Sequence, residues 1–304
     1  MVEHEPRKVI RVGLRSLAIT IPKRWASELG LAPGSTVDLY YDGESIAIRP
    51  RSVSEGEELS VFVDASEGFE RALRKIISSF LEGVTRVRVK ADYGTALKLF
   101  AELRKRIPSM LTIADPKSSF HTIVFTEYRI EPQELLKKVV AVLENLVEMA
   151  KEGRLRCSDG DVDEVLHEVS RLYHLGIRLS KALVPQGTKR ALEAVDNIFM
   201  LKYVRDAVEL IASSCRELEA MDDGLRARIL DTLIASIRSF VDNDIEGLLK
   251  VIDYARRIPE SVGSERVRRF VEKVVEASVM IAELGLSRCV RSKACRCRHF
   301  YPKL

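Results

Sequence analysis

Six cations with no acid among them open the chain: Arg7, Lys8, Arg11, Arg15, Lys23 and Arg24. Their chemistry is phosphate neutralisation, which supplies much of a protein's affinity for a nucleic-acid backbone and weakens as salt rises. In a symmetric dimer each counts twice, giving about a dozen cations on one face. Some must sit at phosphates and few can reach base edges. Arg15, in a turn, and Arg24, at a helix start, are the best placed for a base or groove contact. The plainer reading is a set of solvated strand-face charges in a dimerisation module. A second run of cations closes the chain, again without an acid: Arg288, Arg291, Lys293, Arg296, Arg298 and Lys303. The net charge is +4, so these twelve cations leave the remainder near −8. A basic front and a basic tail on an acidic body point to an anionic partner met at the ends. For the tail, solvation alone is an equal reading.

Other residues could hold a metal. Glu272 and Glu276 lie four apart on a helical stretch and share a face with Glu265 and Glu283, an oxygen donor set for a hard or borderline cation. Any solvated helix face has the same pattern. Cys289, Cys295, Cys297 and His299 supply four ligands that could close a tetrahedral zinc site, although a Cys-x-Cys chelate is less usual than Cys-x2-Cys. A basic tail with incidental thiols is the alternative. His167 and His174, seven apart on one helix, lack a third ligand and are expected to pack or face solvent. Five cysteines, an odd number, fit a reducing compartment better than a disulfide framework. No phosphate-binding loop, dinucleotide fingerprint or nucleophile with a nearby base is present, so the expectation is a protein that is not an enzyme.

These residues need elements to position them. A chain of 304 residues, 46% hydrophobic and 31% charged, predicts a soluble protein of two or three domains. No run approaches the ~18 apolar residues of a membrane helix, and Met1 to Pro6 lacks an apolar signal core, so a cytoplasmic protein without membrane insertion is expected. Lys8 to Val12 and Leu17 to Ile21 read as strands around Gly13 and Ser16. Pro22 opens a short helix that Gly30 stops. Asp42-Gly43 joins two further strands, Val37 to Tyr41 and Ser45 to Pro50, as a hairpin. This first domain, residues 1–52, is too small to bury a core and has no cysteine, which leaves dimerisation as its route to stability.

Residues 57–128 read as a small α/β unit, a sensor or spacer. Strands are expected at 60–64, 84–90, 110–114 and 122–126, with helices at 66–81, capped by Ser66, and 95–107. Residues 131–288 are helical. Leu135, Val139, Val142, Leu146 and Met149 form one bundle seam. Val162 to Leu183 forms another, and Gly187 to Leu218 a third long helix. Three more follow at 225–241, 245–258 and 264–286, suggesting a duplicated three-helix bundle. Residues 289–304 form the basic, Cys-rich tail.

The stretch RKVIRVGLRSLAITIPKRWASELGLAPGSTVDLYYDGESIAIRP resembles the AbrB/MazE/SpoVT swapped-hairpin family in its order of basic strand, Gly turn, apolar strand ending Ile21-Pro22, short basic helix and hairpin. That resemblance implies a swapped-hairpin β-barrel formed by a dimer. The helical half resembles the PhoU family, most clearly from Glu168 to Leu179, where Glu168, Arg171, Tyr173, Leu175 and Arg178 match a Glu-x-x-Arg-x-Tyr-x-Leu-x-x-Arg helix. The whole layout is similar to archaeal phosphate uptake regulators that fuse the two, a multidomain α+β chain with an all-α PhoU-like end.

PhoU proteins carry two Glu-x-x-x-Asp metal motifs. Glu272 and Glu276 stand at the second, with Glu for Asp. Asp206 stands at the first, but Lys202 replaces its Glu, and a cation there opposes metal binding. A metal ion, iron or zinc, is the one cofactor this implies; no cofactor is certain. The resemblance implies a homodimeric regulator of phosphate homeostasis that binds double-stranded DNA, its bundles relaying phosphate status through a transporter ATPase or sensor protein. The rival is a PhoU-like adaptor or metal-binding protein that docks on a phosphate transporter component, the hairpin domain serving only to dimerise.

Overall fold

The computed structural model describes residues 4–41, 43, 45–51, 59–152, 160–258 and 262–291. It divides into two compact units, Met1–Glu57 and Glu58–Leu304. In the first, β1 (Ile10–Val12) pairs antiparallel with β2 (Ser16–Ala18). Three residues turn the chain between them, with Gly13 at φ +71°, where a side chain would be strained. Helix α1 (Lys23–Glu28) starts directly after Pro22. Strands β3 (Val37–Tyr41) and β4 (Ile46–Pro50) form a second antiparallel pair, with Gly43 of the connecting turn at φ +91°.

The two pairs are separate two-stranded sheets, and no closed barrel forms among the described residues. The barrel that the resemblance implies is therefore not a property of one chain. A two-stranded hairpin leaves both edges open, and a barrel made by exchange takes its remaining strands from a second copy.

The second unit begins as a sheet. Strands β5 (Ser60–Asp64), β6 (Arg86–Lys90), β7 (Met110–Ile113) and β8 (Phe120–Phe125) stand in the order β5-β6-β8-β7, with β5 and β6 parallel and the other pairs antiparallel. Alternation sets the faces: Val63, Val87, Val89, Ile123 and Phe125 are buried, with α2 (Phe69–Leu81) and α3 (Tyr93–Arg104) supplying the rest of the core. The opposite face carries exposed Phe62, Leu111 and Ile113, and Arg88 lies 4.5 Å over the Phe120 ring. The expected cap of the first helix is corrected. Asp64, not Ser66, accepts the Ser66 amide at 2.9 Å, and α2 itself begins after Gly68.

Among the described residues six long α-helices and one short one follow: α4 (Pro132–Lys151), α5 (Asp161–Leu183), α6 (Thr188–Ser213), α7 (Cys215–Glu219), α8 (Asp223–Asp242), α9 (Ile245–Ala255) and α10 (Glu265–Arg291). The third helix of the sequence reading is thus broken at Ser214. Helices α4 to α6 and α8 to α10 do not form separable bundles. Helix α4 packs on α8, and α10 on α6, so the two groups share a core.

That core is continuous with the core of the sheet. Residues 57–128 and 131–288, read from sequence as separate domains, are here one body. Arg178 of α5 fastens it: its guanidinium donates to the carbonyls of Phe80 at 2.6 Å, Val84 at 2.9 Å and Gly83 at 3.2 Å, just past the end of α2. It also lies 4.9 Å over the Phe80 ring.

Gly176 sets the crossing of α5 with its neighbours. A Cβ there would stand 2.4 Å from Leu201 Cδ1 and 3.1 Å from Leu135 Cδ2. Overpacking of this kind costs about 1–3 kcal/mol. Gly176→Ala is expected to lower stability in urea unfolding by up to about 2 kcal/mol net, after alanine's better helix propensity of about 1 kcal/mol is set against the clash. Unchanged or greater stability would show that Leu201 can move aside.

Candidate nucleic-acid interface

No described residue of the first unit is buried. Eleven large apolar side chains between Val9 and Ile46 are exposed, among them Leu14 at 95%, Tyr41 at 74% and Leu17 at 72%. A short alternating strand should hide one face; here neither hairpin does. Burying even half of these groups, at about 1.5–3 kcal/mol each, is comparable to the roughly 4–15 kcal/mol cost of association. Leu17→Asp is expected to turn a dimer into monomers by light scattering. A variant that stays dimeric would place the interface elsewhere.

The cations sit on this scaffold as follows. Arg7 and Lys8 precede β1, and Arg11 lies on it, paired across the sheet with Leu17. Arg15 is in the turn, and Lys23 and Arg24 are the first two residues of α1. All six are exposed. Two have a carboxylate at hand: Arg7 is 2.6 Å from Glu5, and Arg24 is 3.7 Å from Glu28 one helical turn on. Among the described residues Lys8, Arg11, Arg15 and Lys23 have no ion-pair partner.

One cation escaped the sequence reading. Arg49 of β4 is also exposed and unpaired among the described residues, because Arg51 takes its cross-strand neighbour Asp38 at 2.9 Å. Five cations with no compensating carboxylate, on a domain with no core, form a surface suited to a polyanion.

Residues 10–56 match the family model described as antidote-toxin recognition MazE, bacterial antitoxin. The N-terminal segment is a MazE/AbrB-type hairpin domain. Comparisons with curated proteins and with solved structures returned no match. The hairpin domain is followed by a mixed α/β and largely helical body. No helix among the described residues is long and apolar enough to cross a membrane.

Of the expected metal residues, the structure describes Asp206, Glu272, Glu276 and Cys289. Among the described residues no group of three or more His, Cys, Asp or Glu side chains is placed to hold a metal. Lys202 and Asp206, one turn apart on α6, form an ion pair that occupies the carboxylate. Glu272 and Glu276 line an open groove with Glu217 and Glu265, but the latter two are neutralised by Arg266 and Arg269.

The tail is corrected as well. Helix α10 runs to Arg291, and Cys289 in its last turn is fully buried beside Leu248, Val251 and Ala282, where it cannot join a zinc site without unpacking the helix. Cys295, Cys297 and His299 lie outside the described residues, as do Lys293, Arg296, Arg298 and Lys303. Arg288 is buried, 3.3 Å from Asn197 Oδ1 and 4.8 Å over the Phe240 ring, and Arg291 pairs with buried Asp196. These two cations hold α10 to α6 and are not part of a free basic tail. Cys215 is disulfide-bonded, against the expectation that the cysteines stay reduced.

His167 and His174 do share a face, lining one cleft. Burial, set against a hydrogen bond to the Ser170 carbonyl and reinforced by the charges of Arg205 and Arg106, lowers the His174 pKa from 6.5 to about 4. Above pH 6.5 the imidazole is neutral whether the chain is folded or unfolded. Below it the unfolded chain takes up a proton that the native state refuses, so stability is lost as pH falls from about 6.5 to about 4. The full loss is on the order of 3 kcal/mol. His174→Gln is expected to flatten that part of the urea-stability profile. An unaltered slope would assign it to other groups.

Proposed function

We propose that this protein is a DNA-binding transcriptional regulator that works as a homodimer. Its hairpin domain holds duplex DNA, and its α/β-helical body relays a signal to that domain. The observation that carries this reading is the set Lys8, Arg11, Arg15, Lys23 and Arg49, exposed and without carboxylate partners among the described residues. Protein cations left uncompensated on one small module favour a partner that brings many negative charges, and duplex DNA brings one per ~1.7 Å of its axis.

The finer proposal is that the signal is phosphate status and the controlled genes serve phosphate uptake. Its support is the similarity of Glu168 to Leu179 to the PhoU helix, which here positions Arg178 at the junction with the sheet. Fold-level likeness alone does not specify function, so the phosphate transporter ATPase or sensor protein remains part of the proposal. The protein would act in the cytoplasm, where the DNA is, and without a catalytic step of its own.

Fluorescence polarisation against duplex DNA at several salt concentrations tests the reading. Affinity that falls steeply and log-linearly with salt is the expected result. A second reading draws on the matched family's description, toxin recognition: a dimeric hairpin that holds a protein partner. A stable dimer with no duplex binding at low salt would favour that reading, or an adaptor in which the hairpin only dimerises.

A further inference from the structure

Helices α2, α3, α5 and α6 enclose a cleft of about 500 Å³ that the DNA-binding reading does not use. Its charged lining is unbalanced. Arg74, Lys105, Arg106 and Arg205 face only two carboxylates, Glu102 and Glu209. Both carboxylates are committed: Glu102 to Lys105 at 2.7 Å, and Glu209 to Arg205. Arg205 is further fixed 4.7 Å over the Tyr173 ring. That leaves Arg74 of α2 with no ion-pair partner among the described residues, and Arg106, just beyond α3, with no paired contact and only a longer-range attraction to Glu102, which Lys105 already holds.

The cleft also holds an acceptor. His174 Nδ1 lies 2.7 Å from the Ser170 carbonyl oxygen. A carbonyl can only accept, so Nδ1 carries the hydrogen and Nε2 presents a lone pair. Nε2 has no protein partner among the described residues. Two unpaired arginines call for an oxyanion; a neutral imidazole beside them calls for an oxyanion that still carries a hydroxyl. At neutral pH inorganic phosphate retains one, whereas a phosphate monoester, with a second pKa of about 6, has largely lost it and sulfate has none.

We propose that this cleft binds a phosphate group, with Arg74 and Arg106 pairing its charged oxygens and His174 Nε2 accepting a hydrogen bond from its hydroxyl. The source that fits is inorganic phosphate, since a phosphorylated metabolite has largely lost the hydroxyl that His174 would accept from. The site draws its walls from both the sheet's helices and the long helices, so an occupant would bridge the two. The proposal gives chemical content to the phosphate signal in the reading above, but it is measured without DNA and stands if the hairpin binds none.

The test is titration calorimetry of the full chain in phosphate-free buffer, with three arms: inorganic phosphate, adenosine monophosphate and sulfate. Saturable binding of inorganic phosphate, tighter than that of the monophosphate or sulfate and weakened at least tenfold in Arg74→Gln and in Arg106→Gln, is the expected result. Monophosphate binding as tightly as phosphate overturns the proposal. Arg74 is exposed, so its variant keeps the fold, which circular dichroism checks. His174→Phe should erase the preference over sulfate, which a purely structural role for His174 would not do. No saturable heat in any arm overturns the proposal, as does sulfate binding as tightly as phosphate, or phosphate binding that ignores both arginine substitutions.

Discussion

Replacing Arg15 and Lys23 together with glutamate lowers duplex-DNA affinity by roughly 100-fold at moderate salt and flattens its salt dependence. The size follows from counting. Each chain loses two cations that have no carboxylate nearby among the described residues, and a dimer loses four. If all four neutralise phosphates, the slope of log affinity against log salt becomes shallower by about 3–4, since each contact contributes roughly 0.9. Arg7→Glu is the matched control. Glu5 at 2.6 Å already compensates that guanidinium, so its reversal should cost much less. Polarisation titrations between about 50 and 200 mM salt read both quantities. A loss in log affinity for Arg7→Glu half that of the Arg15, Lys23 pair, matching its half-sized charge change, would mean that net charge, not this surface, drives binding. No loss in the double variant would remove the hairpin domain as the DNA-holding part.

The second large effect is on stability. Arg178→Met is expected to cost roughly 3–5 kcal/mol, because three carbonyls at the end of α2 lose a charged donor and each unsatisfied buried group costs about 1–3 kcal/mol. The half-buried position tempers the upper end. Burial lowers the Arg178 pKa, but the guanidinium stays protonated at any working pH. For a body of this size such a loss corresponds to a fall in Tm of about 6–20 °C. The neighbouring Lys181–Glu82 pair spans the same two helices, yet both side chains are well exposed, and Lys181→Met should change stability by no more than about 1 kcal/mol. If the two substitutions cost the same, the carbonyl cage is not what joins sheet to helices. Differential scanning calorimetry on both variants separates the cases.

How much of this was legible in the sequence differs element by element. Strand β5, the C-terminal end of α2 and, to within two residues, the span of α8 follow from alternation and helical spacing, because one buried face per element imposes a period. The break at Ser214 carries no Gly or Pro, so nothing local announces it. Asp64 and Ser66 are both capping types two positions apart, and only the backbone shows which one caps.

Charge was harder still. A run of cations at the chain's end reads as a tail until α10 is seen to continue to Arg291, which brings Arg288 and Arg291 against Asn197 and Asp196, over ninety residues earlier. Arg49 was overlooked because its release depends on Arg51 capturing Asp38 across a hairpin. The shared face of His167 and His174 is implicit in their spacing of seven. The cleft they line is not, since Arg74 and Arg106 come from about seventy to one hundred residues upstream.

The single core shared by sheet and long helices has an evolutionary consequence. A stretch of chain can be shuffled between proteins only if it carries its own means of staying folded, or finds them in another copy of itself. A hairpin module completed by a second copy of itself would meet the second condition and could be transplanted as a cassette. The α/β segment cannot, because Arg178 reaches into it and its core does not stop at Ile130. Sheet and helices must therefore be inherited together, and lineages that exchange the hairpin module would keep the same body.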